Sequence, residues 1–161
     1  MKRLFVLVSS FCMFLLVALL VLENPVYAEP NLSGEWRLNL AKSNYGMFPA
    51  PLSMTRSIVH DGVGLSLSSV QKSGQGDVSS KLRYTTDGKE VINKVMGGES
   101  KGSAQWIGDK LVIESAREFQ GVTLKQKEIW SVSEDGKLLT VDAHVTLPNG
   151  EFDVKQVFER Q

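Results

Sequence analysis

Trp130-Ser131-Val132-Ser133-Glu134-Asp135-Gly136-Lys137-Leu138-Leu139-Thr140-Val141-Asp142-Ala143-His144-Val145-Thr146-Leu147-Pro148-Asn149-Gly150-Glu151-Phe152-Asp153-Val154 reads as two hairpins back to back. Apolar and polar residues alternate around Asp135-Gly136 and around Asn149-Gly150, which marks strands with one buried face. Both dipeptides readily supply the positive φ of a tight hairpin. A two-residue turn at Asp135-Gly136 sets Val132 opposite Leu139, Trp130 opposite Val141 and Glu128 opposite Ala143. The same turn at Asn149-Gly150 sets Leu147 opposite Phe152, Val145 opposite Val154, Ala143 opposite Gln156 and Val141 opposite Phe158. The apolar residues of three strands then share one face, as a correct register requires. A three-residue turn at Asp135-Gly136 breaks that agreement.

The same grammar extends outward. Asp61-Gly62, Asp87-Gly88 and Gly108-Asp109 punctuate short apolar-polar runs, and no segment after residue 28 keeps a helical period. Strands are predicted near 34–40, 53–60, 63–71, 78–86, 89–95, 102–107, 110–117, 122–134, 137–147 and 151–160. The stretch 41–52, with Pro49 and Pro51, reads as a loop; 72–77 and 96–102 read as Gly- and Ser-rich connections. No linker, repeat or second domain interrupts 29–161. The predicted fold is all-β: an antiparallel up-and-down meander of about eight to ten strands that closes into a barrel, because closure removes the exposed edges. An open, strongly curved half-barrel is the structural alternative.

Turn-derived registers expose the misfits. Asp61-Gly62 places Met54, Arg56 and Ile58 on one face with Leu65 and Leu67, and Gly108-Asp109 places Ala104 and Trp106 with Leu111 and Ile113. Arg56, Gln126, Glu128 and Gln156 therefore fall on otherwise apolar faces, with Glu128, Ala143 and Gln156 in one row. Desolvated polar groups need partners. One reading is a ligand's polar head held by Arg56 with Gln126, Glu128 and Gln156, beside an apolar wall of Trp106 and Trp130. The other is an internal network that satisfies itself, or residues at the barrel mouth that reach water. Trp36 is expected at the closed end. Tyr45, Met47 and Phe48, on the Pro-bounded loop, are candidates for a portal or lid. Arg117 reads as a rim residue.

Other chemistry is excluded or thin. The chain carries 18 basic and 18 acidic side chains. Removing Lys2, Arg3 and Glu23 leaves the rest one charge below neutral, which gives no electrostatic reason to bind nucleic acid or an anionic membrane. No zinc spacing, nucleophile elbow or phosphate-cradling loop is present, so no enzyme, metal or cofactor is expected. His144 and Asp142 share an outer face and read as surface residues.

Lys2 and Arg3, the apolar run Leu4–Leu22 and Val26-Tyr27-Ala28 form the three parts of a secretory signal. The run is also long enough to span a bilayer as a retained anchor, but the small-residue site and the polar start at Glu29-Pro30 favour cleavage. Cys12 is the sole cysteine and follows Phe11 rather than a small residue, which argues against lipid anchoring. The expected organisation is a signal peptide over 1–28 and one domain over 29–161. That domain would be exported to periplasm or medium, without disulfides and without stable membrane insertion.

The run Asn31-Leu32-Ser33-Gly34-Glu35-Trp36-Arg37-Leu38-Asn39, completed by Lys42-Ser43, resembles the opening of lipocalin-like barrels and of small exported bacterial proteins of mostly unknown function. The latter likeness continues through Asp109-Lys110-Leu111-Val112-Ile113 and 130–137. The resemblance implies a calycin-like barrel, a Gly-x-Trp first strand whose Trp36 packs under an Arg near the C-terminus, here Arg160, and small apolar ligands as a class. The chain departs from lipocalins in lacking their disulfide, their Thr-Asp-Tyr motif and their C-terminal helix. Two functions remain: an exported barrel holding a small lipophilic molecule, or as an open barrel a lipid chaperone; and an interaction or inhibitor module with a filled core. A lumen of at least ~300 Å³ favours the first.

Overall fold

The computed structural model describes residues 29–119 and 121–161. The expected signal peptide lies outside them. Ten antiparallel strands follow one another: β1 (Gly34–Leu38), β2 (Ser53–Asp61), β3 (Gly64–Ser73), β4 (Gly76–Thr85), β5 (Val91–Val95), β6 (Gly98–Ile107), β7 (Lys110–Phe119), β8 (Val122–Val132), β9 (Leu138–Leu147) and β10 (Gly150–Arg160). They form one sheet in the order β4-β3-β2-β1-β10-β9-β8-β7-β6-β5. The first and last strands pair, with Trp36 opposite Arg160. This is an up-and-down barrel, closed everywhere except between β4 and β5. A single 3-10 turn, Leu40–Lys42, stands between β1 and β2, and its first residue is preceded by Asn39, whose side chain accepts a bond from Lys42 N.

Two registers stand as read. Val132 faces Leu139 and Glu128 faces Ala143, although the loop is wider than two residues: Ser133 N donates to Leu138 O at 2.9 Å. Trp106 faces Leu111 and Ala104 faces Ile113. Two registers slide by two residues. Between β2 and β3 the turn is Gly62-Val63, so Arg56 faces Ser69; Gly62 has a φ of 55°, which glycine adopts without a Cβ penalty. Between β9 and β10 the turn is Pro148-Asn149, so Ala143 faces Val154 and Val141 faces Gln156. Proline presets the φ of a first turn position, and here it displaces Asn149-Gly150 from that role. A slip of two keeps every side chain on its face, so the predicted inward set survives while the cross-strand partners change.

The Gly- and Ser-rich stretches are more ordered than expected. β3 and β4 run up to a link of Gly74-Gln75, and β6 starts at Gly98. Ladder hydrogen bonds to neighbouring strands outweigh the weak strand preference of these residues.

The end of the barrel that holds the β2–β3, β6–β7 and β8–β9 turns is packed shut. Trp36 is fully buried there with Ile58, Leu65, Leu111, Leu139 and Phe158. Trp36 Nε1 donates to Leu32 O at 2.9 Å. The Arg160 guanidinium lies 4.2 Å from the Trp36 ring centroid and donates to Gly136 O at 2.7 Å, Asn31 O at 2.7 Å and Ser33 O. One side chain thus ties the start of the described chain, the β8–β9 turn and the last strand together.

Candidate ligand-binding lumen

The opposite end is hollow. A cavity of about 480 Å³ extends from Trp130 and Ile113 in its floor to Gln71, Met96 and Leu124 at the hairpin tips. The β2 alternation carries Arg56 into it between Met54 and Ile58, and all three are buried. The guanidinium lies 4.9 Å from the Trp130 ring centroid and 4.8 Å from that of Phe158. Cation–π contacts of this kind contribute on the order of 2 kcal/mol when desolvated. Arg56 Nε donates to Ser69 Oγ at 3.3 Å, and the buried Nη1 has no hydrogen-bond partner. Burial pushes the Arg56 pKa down, opposed first by the Glu128 carboxylate and then by Tyr45 and Tyr84. Its ordinary value lies so far above neutrality that it stays a cation.

Glu128 is held differently. One carboxylate oxygen accepts from Gln126 Nε2 at 2.6 Å and the other from Trp130 Nε1 at 2.6 Å. These three residues satisfy one another, as the internal-network reading requires, while the Arg56 guanidinium is left short of partners. Tyr84 completes the polar zone. Burial, reinforced by the nearby Glu128 charge and countered by Arg56, pushes its pKa up to about 12, so its hydroxyl remains a donor at neutral pH.

Four of the six expected site residues, Arg56, Gln126, Glu128 and Trp130, border this cavity. Two do not, and both are corrections. Trp106 packs at the closed end, its ring centroid 5.8 Å from that of His60; its inward face was read rightly, but it stands on the far side of the core from the hollow. Gln156 is carried away from Ala143 by the slipped β9–β10 register. Its Nε2 donates to Tyr45 Oη at 3.1 Å, so it tethers the loop that follows β1. That loop runs along β10: Phe48 meets Phe152 edge-on at 5.2 Å, Asn44 bridges to Lys155, and Met47 is 75% exposed, while none of Tyr45, Met47 and Phe48 borders the cavity. Arg117 borders the cavity near its rim. His144 does not pair with Asp142; its Nδ1 lies 2.8 Å from Asp153 and its Nε2 3.6 Å from Glu151, across the β9–β10 hairpin. No cluster of metal ligands occurs among the described residues.

Ser69 and Asn93 were missed. Both are buried polar residues on inward rows, Ser69 after Leu65 and Leu67 and Asn93 between Val91 and Val95. The period-two pattern that singled out Arg56 marks them too.

No family model and no curated protein matches the chain. Solved structures do. The fluorescent protein UnaG superposes with a TM-score of 0.57 at 14% identity, over 81% of this chain and 97% of that one. A secretory abundant heat soluble protein from Ramazzottius varieornatus gives 0.58 at 11%, over 84% and 98%. Zebrafish ileal bile acid-binding protein, solved with cholic acid, gives 0.53 at 19%, over 80% and 98%. At such identities the likeness establishes a shared barrel architecture across nearly the whole of each of those chains.

Proposed function

We propose that this is an exported binding protein, not an enzyme, that holds a small lipophilic molecule with an anionic or carbonyl head in its lumen. The observation that carries the reading is the cavity of about 480 Å³ bordered by a buried Arg56 with an unpartnered Nη1. A filled core would have no such hollow, and a guanidinium used only as bracing would have its donors matched. The guanidinium fork binds two oxygens at once. The bile acid-binding neighbour, which shares the architecture, was solved with an acidic amphiphile. Gln126 and Glu128 shape the polar zone; Trp130 supplies apolar wall.

Displacement of a fluorescent fatty acid should show saturable binding. Arg56→Ala should weaken it about tenfold or more, about 1.4 kcal/mol, as expected for a charge-assisted bond. Unchanged affinity would make Arg56 internal bracing, and no binding at all would leave the interaction module. Export is supported by the signal pattern of residues 2–28; N-terminal sequencing of exported protein should begin at Glu29, and an uncleaved membrane-bound chain overturns that part.

A further inference from the structure

The hydrogen-bonded ladder ends at β4 on one side and at β5 on the other, and those two edges meet without pairing. One side chain stitches them. Asn93 on β5, 7% exposed, accepts from Arg83 N at 2.7 Å and donates to Arg83 O at 2.9 Å. Its carboxamide imitates a single rung of a sheet. Toward the open end, three consecutive residues of β4, Val78, Ser79 and Ser80, all border the cavity. Side chains of a strand alternate between faces, so three in succession mean that the cavity reaches the bare edge of β4.

Outside the barrel, a groove of about 450 Å³ overlies the same seam. Lys81, Arg83 and Lys94 line it and no carboxylate does. None of the three makes an ion pair among the described residues. Glu99, opposite Lys94 in the ladder, stands outside the lining. The groove and the cavity share Leu67 and Leu82, so one layer of side chains separates the cationic exterior from the lumen.

We propose that this groove is an external encounter site for anionic amphiphiles and that the β4–β5 seam, latched by Asn93, is their entrance to the lumen. The inference rests on the lumen being the binding site. The three cations concentrate the anion beside the seam, which raises its association rate. The seam then parts at a cost of two hydrogen bonds rather than a whole ladder, and Arg56 receives the head within.

Stopped-flow fluorescence of the mature protein with two probes of one skeleton tests this: anilinonaphthalene sulfonate, an anion, and N-phenylnaphthylamine, which is neutral. The triple variant Lys81→Ser, Arg83→Ser, Lys94→Ser should slow association of the anion about fivefold or more at low salt and leave the neutral probe unchanged. A control triple, Arg37→Ser, Lys137→Ser, Lys155→Ser, changes net charge equally and should slow the anion far less. Asn93→Ala should speed association and dissociation of both probes together. Asn93→Asp, which keeps the bond from Arg83 N and loses that to Arg83 O, should fall between, a graded response that general loosening of the fold does not give. Equal slowing by both triples, or rates indifferent to position 93, overturns the seam while leaving the lumen intact. Failure of both probes to bind overturns the lumen and the seam with it.

Discussion

Arg56 and Arg160 show how one residue type serves two ends of a barrel. Each lies against an aromatic ring, but Arg160 spends its donors on three backbone carbonyls, whereas Arg56 has one long bond to Ser69 and an orphaned Nη1. The first is a staple; the second keeps a donor free at the cavity, the feature on which the proposed function rests. Trp36, beneath the staple, is fully buried and bonded through Nε1. Trp36→Ala should therefore cost about 3–5 kcal/mol in urea unfolding, the range for a buried aromatic. A loss under about 1 kcal/mol would mean that the closed end is not built on this ring.

At the scale of elements, hairpin chemistry sets which strands meet, and side-chain size sets how closely. Gly102, on β6, sits where an added Cβ would come 2.6 Å from Glu114 O and 3.0 Å from Ser115 Cβ on β7. The backbone cannot yield without opening the β6–β7 ladder. Gly102→Ala should cost about 1–3 kcal/mol by overpacking, seen as a lower urea midpoint at unchanged slope. The alternation of each strand was legible because faces follow from period two alone. The slipped partners of Arg56 and Gln156 were not, because a shift of two residues leaves that pattern intact and only the backbone of Gly62-Val63 and Pro148-Asn149 selects between the alternatives.

The described residues form a sheet rolled until its first and last strands pair, leaving one seam between β4 and β5. Closure joins β1 to β10, and nine antiparallel ladders link the ten strands in a line. Stability along that line is uneven, since local opening follows the distribution of buried contacts and paired backbone. Hydrogen exchange should be fastest at the amides of β4 and β5 that point into the seam, and slowest in β9, which is paired on both sides; uniform protection around the barrel would contradict an open edge. The sequence by itself determined the strands, their inward faces and the antiparallel meander, because each follows from local alternation and turn residues. It also located Arg56, Gln126, Glu128 and Trp130 by their inward rows. Only the tertiary structure decided which inward rows surround a hollow and which fill the closed end. It placed Trp106 behind the core, bound Gln156 to Tyr45, and brought Asn93 to Arg83. Those outcomes depend on how far each strand slides along its neighbours and where the sheet stops pairing, and both are set by packing between residues distant in the chain.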